Sequence, residues 1–146
     1  MTERTVFQSM SHKHVLSLGP TASVWEAACV MTRASCGSVL IMEPPEKLLG
    51  IVTERDLMTR VLAKALNPEK TQVSAVMTHN PQCVSPETAV SDAVVIMIER
   101  GFRHLPIVGP GGKILGVFSV RDALPREIGA AMSVTEFNET VNDALG

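Results

Sequence analysis

Two stretches of this 146-residue chain place a hydroxyl, a cation and a carboxylate at the same spacing. Thr53-Glu54-Arg55-Asp56 follows Gly50-Ile51-Val52, and Ser119-Val120-Arg121-Asp122 follows Gly116-Val117-Phe118. Each run reads as a strand passing into the first turn of a helix. Two chemistries fit the pattern. In the first, Thr/Ser-x-x-Asp closely resembles a capping box, in which hydroxyl and carboxylate satisfy each other's backbone N–H groups and no ligand is needed. In the second, the free N–H groups of the helix start, the hydroxyl and Arg55 or Arg121 receive a phosphate, while Asp56 or Asp122 suits ribose hydroxyls. A cation in a first helical turn opposes the helix dipole, so a cap alone leaves the arginine unexplained in both stretches. On the residues alone both readings stay open.

The other reactive side chains give less. His12 and His14 fall on one side of a strand at i, i+2 spacing, but no third ligand lies near them in sequence. A polar strand edge is the reading adopted, and no metal site is expected. His104 has no nucleophile with a matching partner, and no Ser/His/Asp or Cys/His set can be assembled. The glycine spacings of phosphate and dinucleotide loops are absent, and Gly109-Pro110-Gly111-Gly112 reads as a hairpin turn. No enzyme activity and no catalytic cofactor are expected. Cys29, Cys36 and Cys83 are too few and too scattered for a disulfide framework or a zinc site. The methionines read as core fillers. Trp25 stands opposite Ser91 in the alignment below, outside the apolar face, and reads either as a subunit contact or as surface packing.

Composition narrows the partners. With 13 Lys+Arg against 15 Asp+Glu and only 3% aromatic residues, the chain lacks both the basic excess and the stacking surface that nucleic-acid binding calls for. Residues 1–13 carry no apolar segment of the signal-peptide kind, and the longest apolar run, 93–98, is far short of the ~18–20 residues that cross a bilayer. No membrane association and a cytoplasmic location are the expectations.

The two chemical stretches are positioned by a duplication. Shifted by 66 positions, residues 16–58 lie on 82–124 without a gap, and 11 of the 43 positions are identical, Arg55/Arg121 and Asp56/Asp122 among them. Upstream, Val6 to Met10 matches Val73 to Met77 at an offset of 67. Each copy reads as a short strand (15–18; 83–84), a turn at Pro20 or Pro86, and a helix with one buried face (Val24, Ala27, Ala28, Met31; Val90, Ala93, Val94, Met97, Ile98). Ser23 with Glu26 is a candidate capping box for the first of these helices. Two apolar runs follow in each copy, 39–42 with 48–52 and 105–108 with 114–118, joined by Pro/Gly-rich linkers as antiparallel hairpins. A second helix starts near Glu54 or Val120, and Pro125 is expected to interrupt or kink the last one. A three-stranded unit of ~60 residues leaves one sheet face uncovered, so the two copies are expected to pack as one module.

The duplicated unit, its closing Gly-apolar-apolar-Thr/Ser-x-x-Asp, and the run Gly101-Phe102-Arg103-His104-Leu105-Pro106-Ile107-Val108 resemble a tandem pair of cystathionine β-synthase (CBS) domains, a Bateman module. The runs Thr53 to Leu57 and Arg103 to Pro106 are similar to those of small bacterial stand-alone CBS proteins. The resemblance implies a mixed α/β (α+β) fold of two β-α-β-β-α repeats, packed sheet to sheet with pseudo-two-fold symmetry. The repeats fall at 6–66 and 71–128, followed by a helical tail at 129–146. It further implies two clefts that take an adenosine-containing nucleotide as regulatory ligand: AMP, ADP or ATP first, S-adenosylmethionine or NAD as alternatives. Carried over, Asp56 and Asp122 bind ribose hydroxyls, Thr53 and Ser119 stand at the ribose-phosphate end, and Arg55 and Arg121 lie near the phosphates. Arg103 and His104 resemble basic phosphate contacts, and Leu105 and Pro106 wall the adenine. The first copy has Gly37, Ser38, Val39 and Leu40 at those last four positions, so the two sites are expected to differ. The implied role is non-catalytic energy sensing and signal transduction, as a homodimer or through a separate effector protein. The alternative is a structural or protein-interaction module whose ligand sites are vestigial.

Overall fold

The computed structural model describes residues 3–10 and 15–145, and the side chains of 144 and 145 fall outside it. His12 and His14 lie outside the described residues. In chain order the elements are α1 (Val6–Ser9), β1 (Ser17–Leu18), α2 (Val24–Ala34), β2 (Ser38–Glu43), β3 (Lys47–Thr53), α3 (Glu54–Asp56), β4 (Thr78–His79), α4 (Val90–Arg100), β5 (His104–Val108), β6 (Ile114–Ser119) and α5 (Pro125–Leu145). A π-helix over Leu57–Leu62 continues α3, and short 3-10 turns occupy Val73–Ala75 and Val120–Asp122. The fold is mixed α+β, in two compact units: Val15–Pro81, and Gln82–Gly146 together with the described part of Met1–His14.

In the Val15–Pro81 unit a four-stranded sheet runs in the order β1-β2-β3-β4. β1 is parallel to β2, and β2 and β3 form the expected antiparallel hairpin, with Ser38 opposite Thr53. The Ser23 hydroxyl accepts from Glu26 N at 3.1 Å, the hydroxyl half of the box read there, and starts α2. Val24, Ala27 and Met31 on that helix are buried with Val39, Ile41 and Val52 of the hairpin. Burying an apolar side chain of this size stabilises by roughly 1.5–3 kcal/mol. α2 ends on Ser35 in the left-handed conformation (φ 54°); Gly101 ends α4 at the equivalent place (φ 76°), where the missing Cβ removes the strain. Gly50 is fixed by a different constraint. A Cβ there would lie 2.6 Å from Met77 Sδ and 2.7 Å from the Thr78 carbonyl oxygen, because β4 pairs with Gly50 at that point.

In the other unit β5 and β6 form the second antiparallel hairpin, with His104 opposite Ser119. The strand expected at 83–84 is a single parallel bridge, Val84 to Ile107. Phe118, Leu105, Ile107, Val90 and Val94 make the core, and Val6 of α1 and Met10 just after it join them.

The segment ahead of each repeat docks on the helix of the other. Val24 N donates to Thr71 O at 2.9 Å and Val73 N to Ala22 O at 2.8 Å. The matching bonds in the second unit are Val90 N to Arg4 O at 2.9 Å and Val6 N to Thr88 O at 2.8 Å. Val6 and Val73, aligned at the offset of 67, are both fully buried, each in the core of the repeat it does not precede in sequence.

One expected feature is corrected. Pro125 does not interrupt the last helix; it begins it, and α5 runs unbroken to Leu145. Proline suits a first helical position, where its missing N–H has no intrahelical acceptor to lose. The break falls before it, at Ala123, whose ψ of 144° takes the chain out of helical geometry.

Candidate functional site

Strand register builds each motif. β3 ends on Thr53, whose Oγ1 accepts from Asp56 N at 3.3 Å while Thr53 N donates to Asp56 Oδ2 at 2.9 Å. Ser119 ends β6 in the same way: its hydroxyl accepts from the turn, from Arg121 N at 3.3 Å, and its own N–H donates to Asp122 Oδ2 at 3.0 Å. Both Thr/Ser-x-x-Asp runs are therefore reciprocal capping boxes, the first of the two chemistries their spacing allowed. The cap uses one carboxylate oxygen of Asp56, and the other lies 3.7 Å from Arg60 Nε.

The hairpins then bring further groups to the same end. Val120 N donates to Arg103 O at 3.2 Å, and His104 faces Ser119 across the ladder. Arg103, His104, Ser119, Arg121 and Asp122 thus gather at one end of the β5–β6 hairpin, with the Arg103 and Arg121 side chains exposed. In the first copy Glu54 N donates to Gly37 O at 3.0 Å and Ser38 faces Thr53, so the same end carries no cation from β2. Arg55 is exposed there and Asp56 is 9% exposed. Leu105 is fully buried in the core with Phe118, and Pro106 is buried with its carbonyl accepting from Val84 N at 3.0 Å.

Three charged residues that sequence reasoning passed over hold these motifs. Arg60 Nη1 donates to Val76 O at 2.9 Å and Met77 O at 3.3 Å. Arg4 makes a bidentate pair with Glu127, Nη2 to Oε1 at 2.7 Å and Nε to Oε2 at 3.1 Å, and Nη2 also donates to Asp122 O at 2.9 Å. The Arg4 fork is the main reason the Glu127 carboxyl is held below the ordinary glutamate range; burial opposes it and the Leu124 N–H assists it. The i, i+4 spacing of Asp56 and Arg60 was a legible signal for one contact. Pro125 with Glu127 two residues later fits a helix start as well as a break, and the sequence alone did not separate the two. Arg4, 123 residues from Glu127, left no local trace.

Among the described residues no group of three or more His, Cys, Asp or Glu could hold a metal ion, and no helix is long and apolar enough to cross a membrane. Burial pushes the Cys83 thiol up, away from thiolate character.

The CBS-domain family model matches the chain twice, over residues 7–63 and 73–127. The chain belongs to the CBS-domain family. An uncharacterised protein of Methanopyrus kandleri is 32% identical over 118 residues, 81% of this chain and 60% of that protein. A CBS domain-containing protein of Arabidopsis thaliana is 36% identical over 122 residues, 84% of this chain and 22% of that protein. The chain thus spans less than two thirds of the length of these two relatives. A CBS domain protein of Pyrobaculum aerophilum, solved in complex with AMP, superposes with a TM-score of 0.76 over 89% of this chain and 98% of that one, at 22% identity, a likeness of fold. The two motifs, the hairpins and the leading segments described above are the parts of a CBS pair.

Proposed function

We propose that this CBS pair is a non-catalytic regulatory module that binds an adenosine-containing nucleotide, AMP, ADP or ATP before S-adenosylmethionine or NAD. The observation that carries this reading is the set at the end of the β5–β6 hairpin: two exposed arginines, 103 and 121, His104, a hydroxyl and a carboxylate on adjoining backbone. Arginines bind phosphate through charge-assisted hydrogen bonds and Asp122 suits ribose hydroxyls. Leu105 and Pro106 follow Arg103 and His104 directly in sequence, both buried, and are the apolar residues proposed to wall the adenine. The first copy offers Thr53, Arg55 and Asp56 with Gly37 and Ser38 in place of the basic pair, so it binds the same ligand more weakly. The AMP carried by the Pyrobaculum aerophilum protein agrees in ligand class. Binding signals by favouring one arrangement of the chain or of its assembly, by no more than the ligand's differential affinity for it. Exposed Trp25, Met58 and Leu62 suit a second copy, and a separate effector protein is the other route for the output.

The test is thermal unfolding against AMP, ADP, ATP, S-adenosylmethionine, NAD and GTP. A ligand at 100 times its Kd adds ~2.7 kcal/mol, a shift of several degrees for a chain of this size. One adenosine compound should raise the midpoint, and D122N should remove the shift while D56N leaves most of it.

The capping boxes favour a second reading, a protein-interaction module whose hydroxyls and carboxylates serve only the backbone. Under that reading no ligand shifts the midpoint, and D56N and D122N only weaken a cap, by about 1 kcal/mol or less.

A further inference from the structure

Each Thr/Ser-x-x-Asp turn is tied by an arginine to the leading segment that docks beside it, and the two ties run in opposite directions. In the Val15–Pro81 unit the arginine is on the helix: Arg60 lies 3.7 Å from Asp56 Oδ1 and donates to the carbonyls of Val76 and Met77 on the leading segment. In the other unit the arginine is on the leading segment: Arg4 donates to the Asp122 carbonyl and forks onto Glu127. The reversal follows from the helix that comes after each motif. After Asp56 the chain continues helically, and the buried Val61 sits where the second copy has Glu127. After Asp122 the chain leaves helical geometry at Ala123, and Pro125 has no N–H to offer. The Glu127 that follows is only 8% exposed. A carboxylate so placed needs a partner, and a carbonyl at a broken turn needs a donor. Arg4 supplies both, while Glu127 Oε1 also accepts from Leu124 N at 2.7 Å.

We infer that Arg4 and Arg60 are positioning residues, Arg4 for the Ser119–Asp122 turn and Arg60 for the Thr53–Asp56 turn, so that each ligand motif is held in place by the leading segment docked beside it, the one that precedes the other repeat in sequence. Residues 3–6, the beginning of the described chain, are then a working part of the second copy's site. By reciprocity, a ligand held by Asp122 tightens the N-terminal segment, and anything that lifts that segment weakens the ligand. The consequence for ligand affinity rests on the function proposed above, whereas the tie itself does not.

Two readouts separate them. Amide hydrogen exchange of the ligand-free protein reads the tie directly. R4Q should speed exchange of the Ser119 and Leu124 amides at least tenfold and leave Thr53 unchanged; R60Q should do the reverse. Unchanged exchange at Ser119 and Leu124 in R4Q overturns the inference, whatever AMP does. Calorimetric titration with AMP reads the consequence. R4Q should weaken AMP at least fivefold, R4K should recover part of the loss because a lysine keeps the charge but not the fork, and V24A, a core change in the Val15–Pro81 unit, should keep the tight AMP binding of wild type. Faster exchange in R4Q with wild-type AMP affinity overturns the positioning role. Should the wild-type protein bind no nucleotide, the proposed function falls and the exchange data alone decide the tie.

Discussion

Asp56 and Asp122 each do local backbone work, accepting the N–H of the Thr or Ser that precedes them by three residues. The sequence left their role as an open choice, because a cap and a ribose ligand both need a carboxylate at that spacing. Glu127 was not legible in the same way. It takes the place of a buried valine, and the partner that makes this tolerable comes from the far end of the chain. Its folded-state pKa is lowered, chiefly by the hydrogen bonds from Arg4. A group with a depressed pKa contributes stability that is fully present above its unfolded value, ~4.3 for glutamate, and lost as pH falls through the folded value. Arg4 is raised further from its already high value and stays charged throughout, so Glu127 alone sets this pH dependence. Urea unfolding at pH 7, 5, 4 and 3 should show E127Q less stable than wild type at pH 7. The gap should close below pH 4. A gap that persists unchanged to pH 3 would contradict the ionic account.

At the scale of elements, periodicity located what periodicity controls. The apolar spacings of α2 and α4 and the linkers of both hairpins were readable because one buried face or one tight turn decides each, although Ile98, expected on the buried face of α4, is 44% exposed. The π-helix over Leu57–Leu62 was not, since Ala63 N bonding to Met58 O and Leu66 N to Val61 O is a choice made by tertiary packing. Pro125 misled in the other direction: a proline that reads as a breaker also marks a first helical position, and only the break at Ala123 distinguishes the two. The first-place position of Gly50 in the Gly-apolar-apolar-Thr motif reflects the approach of β4, and a methyl there would collide with a backbone oxygen that has little room to move. G50A should cost about 1–3 kcal/mol in urea unfolding. G19A, with nothing within 4 Å of the added carbon, should cost much less. Equal losses would show that the collision is not the reason for the glycine.

At the scale of the whole molecule, the duplication was plain in the sequence, but the exchange of leading segments was hidden. Residues 6–10 and 73–77 align with each other, and alignment says nothing about which core each one enters; hydrogen bonds to residues 86–90 and 20–22 decide that. Assembly belongs to this scale too. Trp25 is 52% exposed and is the chain's single tryptophan, with no tyrosine beside it, so its emission reports its own surroundings. If Trp25 lies in a homodimer contact, dilution from micromolar to nanomolar should shift its emission to the red, and W25A should move sedimentation from dimer to monomer. Constant emission with unchanged sedimentation in W25A would place the contact elsewhere.

If the second copy's cations and Asp122 make the stronger nucleotide site, calorimetric titration of AMP into wild type, D56N and D122N resolves it from the weaker one. D122N should lose the tight phase, D56N should keep it, and added salt should weaken the tight phase more than the weak one. Equal affinities and equal salt dependence at the two sites, or a tight phase that survives D122N, would contradict it.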